Sequence, residues 1–324
     1  MYFPVLRGKR FELLALRESA DLFGRSRLFF PVIEPVRART LSTDLRRAAE
    51  ALAGAGVDLG VVVNPTVGEL AGSGGAESIV AEIATWPPEV LARLDVVIAM
   101  EEGGNQDGAA RALSAQSAVN PLPRWMLCTA DFDVERVGVL PTSAVVAGVI
   151  APRARTARRL AAGIQPPPAI LEIEDPFPLM QRNRDYLGRG ERIFTDQHLY
   201  YADEGLAGFA DYATIGAPFR DGGGSPNYVT IHWTYTKPEP RADGFPIFLQ
   251  HFSSSDAELD LDVGAKFHAA VGSLLDAMDA LEAPETAATA TLRDHYEKET
   301  FPGLGVLKKL SLTNHFSVVE TATR

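Results

Sequence analysis

Ala169-Ile170-Leu171-Glu172-Ile173-Glu174-Asp175-Pro176-Phe177 joins an apolar element to three carboxylates. Pro166 to Pro168 lead into it, so the chain enters extended rather than helical. In a strand side chains alternate, which puts Leu171 and Ile173 on one face and Glu172 and Glu174 on the other. Asp175 then stands on the carboxyl-terminal lip, where Pro176 ends the ladder. Two glutamates on one strand face are costly in a sealed core and suit a wet cavity, a cation or a cleft. Glu172 and Glu174 are therefore expected to face a shared cavity, with Asp175 turning the chain.

The same pattern, an apolar run ending in polar residues, recurs upstream. Tyr2 to Leu6 leads into Arg7-Gly8-Lys9, Leu28 to Val36 carries Glu34-Pro35, and Asp58 to Val63 meets Asn64-Pro65. Asp95 to Met100 runs into Glu101-Glu102, and Trp125 to Thr129 and Ala144 to Ile150 are also strand-like. Helical spacing lies between them: Phe11 to Phe23, a helix capped by Ser42 and running to Ala53, Glu77 to Thr85, Ala109 to Ser117, and a basic stretch from Arg153 to Ala162. Strands alternating with helices call for a parallel sheet wrapped by helices. Polar tips at nearly every strand end, without a dominant Gly-x-Gly-x-x-Gly crossover, favour a closed TIM-type (β/α)8-like barrel over an open doubly wound sheet. Phe209 to Gly216 would close it.

The barrel is expected over residues 1–216, and 217–324 as a β-hairpin with helices packed on it. The hairpin pairs Tyr228–Thr236 with Phe245–Phe252. An amphipathic helix over Val263–Leu281, a linker over Ala283–Thr289, a helix over Leu292–Glu299 and a tight turn at Pro302-Gly303-Leu304-Gly305 follow.

With 324 residues, 46% hydrophobic and 23% charged, the chain can bury a sizeable core. Its net charge of −11 argues against nucleic acid as the dominant partner. The single cysteine, Cys128, permits no internal disulfide and no cysteine-rich zinc site. No apolar run is long enough to span a membrane, and the first residues lack the pattern of a signal peptide, so a cytoplasmic protein is expected.

Five segments together resemble the signatures of one bacterial family that is itself similar to the phage-associated beta-protein family: Tyr2-Phe3-Pro4-Val5-Leu6-Arg7-Gly8-Lys9, Val32-Ile33-Glu34-Pro35-Val36, Asp196-Gln197-His198-Leu199-Tyr200-Tyr201, Gly208-Phe209-Ala210-Asp211-Tyr212, and Pro302 to Ser311 with His315 behind it. The resemblance covers nearly the whole chain. It implies a phage-defence-type two-gene cassette in which a small protein encoded nearby is the partner, and it supplies no catalytic residues. Gln197 departs from the two consecutive acidic residues expected before His198.

Chemistry is expected at the strand ends. Glu34, Glu172, Glu174 and Asp211, gathered at one mouth, would offer oxygen ligands to Mg²⁺ or Mn²⁺, which suits a hydrolase or phosphoryl-transfer enzyme. Glu172, Glu174, Asp196, His198 and Asp211 are the candidate acids, bases and nucleophile-activating groups, with Asp196 orienting His198. Arg7 and Lys9, two apart, would share a face and hold a phosphate or carboxylate. Asn64, Tyr200, Lys308 and Lys309 complete a candidate surface for a small or nucleotide-like ligand, with Tyr201 beside Tyr200 in an aromatic lid. The competing expectation is a non-catalytic sensor or scaffold, in which the carboxylates cap helices and pair with arginines and His232 and His251 are core residues of the hairpin.

Overall fold

The computed structural model describes residues 1–72, 74–100, 124–129, 146–221, 227–239, 244–258 and 260–324. Eight parallel strands close a barrel: β1 (Tyr2–Leu6), β2 (Val32–Ile33), β3 (Leu59–Val62), β4 (Leu94–Met100), β5 (Arg124–Cys128), β6 (Val146–Ala151), β7 (Ala169–Glu174) and β9 (Gly208–Asp211), which returns to β1. This is the expected TIM-type architecture. Around it run α1 (Arg10–Glu18), α2 (Ala20–Ser26), α3 (Arg46–Gly54), α4 (Gly75–Ile83) and α5 (Ala154–Ala161). The strand expected over Leu28–Val36 shrinks to two residues, because Pro31 and Pro35 have no N–H to give a ladder. Ser42 does not cap the helix that follows; the helical run already begins at Ala38. The expected helix over Ala109–Ser117 and the tip Glu101-Glu102 lie outside the described residues.

Phe3 of β1, Phe30 before β2 and Trp125 of β5 meet with ring centroids 5.0 to 5.2 Å apart. Strands β1 and β5 stand on opposite walls, so these rings mark the inward side of each strand. In a parallel ladder partners share a side, and the register carries that parity around the barrel: Val5 with Val32, Val32 with Gly60, Gly60 with Asp95, Val97 with Trp125, Trp125 with Gly148, Gly148 with Ala169, Leu171 with Gly208, and Ala210 with Phe3. Glycines on neighbouring strands make room for the rings. A Cβ at Gly148 would lie 2.1 Å from the Trp125 ring, and one at Gly60 would lie 3.0 Å from Phe30.

The opposite parity faces the helices. Tyr2 stacks on Phe209 at 5.0 Å and meets Phe29 edge-on at 5.7 Å; Phe29 in turn stacks on Phe23 of α2 at 4.1 Å. Glu172 pairs with Phe209, and Glu174 pairs with Asp211, so all three acidic residues belong to this outer side.

The chain divides into two compact units, residues 1–175 with 200–212, and residues 176–199 with 213–324. Segment 176–199 thus groups with the carboxyl-terminal residues and not with the barrel. Its strand β8 (Arg192–Thr195) pairs with β11 (Ile247–Ser253), and β11 pairs with β10 (Thr230–Thr236) in the expected hairpin. Ile231, Trp233, Tyr235, Phe248 and Phe252 cover one face against Phe267, Val271 and Leu274 of α6 (Val263–Ala280) and Leu292 of α7 (Ala287–Glu297). Helix α7 starts inside the expected linker because Thr286 caps it, accepting from the Thr289 N–H at 3.1 Å.

The expected tail turn instead opens a 20-residue helix, α8 (Leu304–Thr323), with Gly303 at its N-cap. Ser311 donates to the His232 carbonyl at 2.7 Å and Asn314 to the Thr234 carbonyl at 2.7 Å. Helix side chains thereby cover the free edge of β10, which would otherwise present unpaired carbonyls.

Gly148→Ala is expected to lower unfolding stability by about 1 to 3 kcal/mol through overpacking against Trp125. Gly54→Ala, where nothing lies within 4 Å of the added carbon, should be neutral or slightly stabilising. Urea unfolding of the two variants against the parent chain separates these outcomes.

Candidate functional site

At the carboxyl ends of the strands the inward parity brings together Arg7, Glu34, Asn64 and Tyr212. Arg7 and Glu34 form a buried ion pair through Nη1 and Oε2. The other Glu34 oxygen accepts from the Thr66 N–H at 2.7 Å and the Thr66 hydroxyl at 3.0 Å. Glu12 of α1, also buried, accepts from the Arg7 N–H at 2.7 Å. The Tyr212 ring lies against the Arg7 guanidinium, 5.4 Å from centroid to carbon. Burial, aided by the charges of Glu34 and Asp175 and opposed by Arg7, pushes the Tyr212 phenol up to about 12. It is a neutral donor across the physiological range. The residue is 3% exposed, and its hydroxyl makes no hydrogen bond to any described residue.

The four carboxylates expected to share a metal do not converge. Glu34 is inward and committed to Arg7 and Thr66. Glu172 is outward and accepts from the Ala154 N–H at 2.9 Å, at the start of α5, where a carboxylate complements the helix terminus. Asp211 is outward and buried and accepts from the Tyr2 hydroxyl at 2.6 Å; burial first, and then the Asp211 charge and this bond, hold that phenol well above its ordinary range. Glu174, its register partner, is on the same outer side. Among the described residues no three His, Cys, Asp or Glu side chains group as a metal site would require. The alternation read from the sequence was right, but the inward face is that of Leu171, Ile173 and, by continuation, the exposed Asp175.

The other candidates also separate. Asn64 is inward, but its amide donates to the Ala99 carbonyl at 2.9 Å and accepts from the Ala99 N–H at 2.8 Å, extending the ladder by one residue. Lys9 does not share a face with Arg7, because Gly8 turns the chain with a φ of 59° and Lys9 becomes the N-cap of α1. His198 belongs to the second unit, in the short helix Gln197–Tyr200; its Nε2 donates to the Phe245 carbonyl at 3.1 Å and burial lowers its pKa. Asp196 accepts from the Leu199 N–H through its backbone carbonyl at 2.9 Å, and its charge acts on His198 against the effect of burial. Tyr200 is half-buried, and Tyr201 packs on Phe209 at 5.6 Å. Lys308 and Lys309 are half-buried on the first turns of α8.

His232 and His251 are cross-strand partners, Nδ1 to Nδ1 at 2.8 Å, so one imidazole donates to the other. Tyr186 and Phe177 flank them, with ring centroids 4.5 to 6.0 Å away. Sequence reasoning missed Tyr212, Glu12 and Thr66 as parts of the mouth. Tyr212 was within reach, since it follows Ala210 by two residues on the same face.

The sequence matches no protein-family model, and no curated protein is similar to it. No helix among the described residues is long and apolar enough to cross a membrane.

Burial lowers His232 to about 3, His251 to about 4 and His315 to about 3 from an ordinary 6.5. The unfolded chain therefore takes up these protons first, so the stability they carry is full above about 6.5 and falls with pH toward 4. Each contributes up to about 1.4 kcal/mol per pH unit, with His232 and His251 titrating as a pair. Asp95, raised by burial to about 6, works in the opposite sense within the barrel. Urea unfolding at pH 7 and pH 5, followed by the near-ultraviolet signal of Trp233, should show a clear loss; equal midpoints would contradict these neutral histidines.

Proposed function

We propose that this chain is a small-molecule-binding barrel protein whose working end is the mouth built on Arg7, Glu34 and Tyr212. The observation that carries the reading is the Tyr212 hydroxyl, a neutral donor on a buried ring, facing inward with no partner among the described residues. A ligand oxygen accepting from this hydroxyl would add a hydrogen bond worth about 1 kcal/mol. In barrels of this type the carboxyl-terminal mouth is where ligands bind and chemistry occurs.

The local charges narrow the ligand. Arg7 is balanced by Glu34, while Glu12 and Asp175 add negative charge, so a free anion gains little. An uncharged carbonyl- or hydroxyl-bearing molecule fits better, with an acceptor toward Tyr212 and donors toward Asp175. This is the nucleoside-like class rather than inorganic phosphate. A binding role also agrees with the cassette implied by the family resemblance, with the ligand as the signal and a small protein as the partner. A Mg²⁺ or Mn²⁺ hydrolase on Glu34, Glu172, Glu174 and Asp211 draws no support from where those side chains lie.

Calorimetry with a panel of nucleosides, and with inorganic phosphate beside them, tests the proposal. At least one nucleoside should bind, and Tyr212→Phe should weaken it about fivefold to tenfold for one lost hydrogen bond. Stability of that variant should hold or rise, since it deletes an unpartnered hydroxyl. Binding of phosphate alone, or a Tyr212→Phe variant with unchanged affinity, would overturn the reading.

A further inference from the structure

Helix α5 runs Ala-Arg-Thr-Ala-Arg-Arg-Leu-Ala from Ala154 to Ala161, with Arg153 as its N-cap. Arg153, Arg155, Arg158 and Arg159 are all exposed, while Thr156 and Ala157 are buried against the barrel. No acidic residue lies between Arg153 and Gln165, in a chain whose net charge is −11. Helix stability accounts for part of this. Arg158 and Arg159 sit in the last turn, where cations complement the helix dipole, and Arg158 Nη2 donates to the Glu204 carbonyl at 2.9 Å. Arg155 sits in the first turn, where a cation opposes the dipole. Neither Arg155 nor Arg159 makes an ion pair with any described residue.

Solubility does not require this arrangement either, since an acidic chain is already far from neutrality and lysine would serve equally. Arginine differs in presenting a weakly hydrated planar fork that binds carboxylates through two parallel hydrogen bonds. Arg155 and Arg159 are four residues apart and so project side by side from one face. We infer that the outer face of α5 docks a carboxylate-rich segment of a partner protein, with Arg155 and Arg159 as the principal contacts. Size favours such a segment over nucleic acid. The helix is about 12 Å long, which matches a few side-chain carboxylates, whereas a nucleic-acid backbone would extend onto a surface whose overall charge repels it. Arg155 and Arg159 are not among the residues that build the mouth, so their variants and Tyr212→Phe test docking and ligand binding independently.

Fluorescence anisotropy of a labelled peptide of aspartates and glutamates, titrated with the full chain at low salt, tests this. Saturable binding is expected, weakened about tenfold or more in Arg155→Glu/Arg159→Glu, equivalent to about 1.4 kcal/mol. The neutral pair Arg155→Gln/Arg159→Gln should lose most of the same affinity, and it guards against a helix unfolded by charge reversal. Arg25→Glu/Arg47→Glu, an equal charge change on α2 and α3, should bind like the parent chain. Absence of saturable binding, an equal loss in the α2 and α3 variant, or tighter binding of a labelled DNA duplex through Arg155 and Arg159 would each overturn the inference.

Discussion

The contact between Phe3 and Trp125, on opposite walls of the barrel, decides which side of every strand faces the axis. Both rings are large and nearly fully buried, and they can meet only because Gly148 and Gly60 leave space beside them. Once those rings are inside, the two-residue period of a strand leaves no freedom. Val5 and Arg7 follow Phe3 inward, Glu34 follows Val32, and Tyr212 follows Ala210. Glu172, Glu174 and Asp211 are sent outward by the same rule, to a helix terminus and a tyrosine hydroxyl. One aromatic plug therefore determines both the hydrophobic floor and the polar composition of the mouth.

The architecture was legible in the sequence because strand, polar tip and helix recur with spacing that only a parallel, helix-wrapped sheet satisfies. The face of each strand was not legible from one strand alone. Alternation in Ile170 to Glu174 assigns two sides but does not say which is inside, and both sides of a barrel strand are covered. The intuition that carboxylates belong in a wet cavity chose the mouth, whereas Glu172 found its compensation in the Ala154 N–H on the helix side. Deciding between them required a contact across the barrel, and the hint lay in pairing bulky Phe3 and Trp125 with glycines on adjacent strands. The departure of residues 176–199 from the barrel was hidden for a different reason. Ile193 and Phe194 look like any short apolar run, and their partners in β11 lie more than fifty residues downstream.

The second unit solves an edge problem with side chains instead of another strand. Ser311 and Asn314 reach from α8 to two carbonyls of β10, which explains why a segment that reads as a turn followed by two lysines is continuous helix. The same unit holds three neutral histidines whose protonation is opposed by burial, and these make its stability the more acid-sensitive part of the chain.

The central claim is that Tyr212 is a buried, neutral, inward-facing phenol beside the Arg7–Glu34 pair. Nuclear magnetic resonance of the chain carrying ¹³C at the tyrosine ring carbon next to the hydroxyl measures it directly, with Tyr212→Phe assigning the signal. This tyrosine is expected to resist ionisation until about pH 12, and its signal to move when a bound nucleoside accepts its hydrogen bond. Titration near the ordinary value of 10 would place the ring in solvent and contradict the inward parity on which the mouth is built.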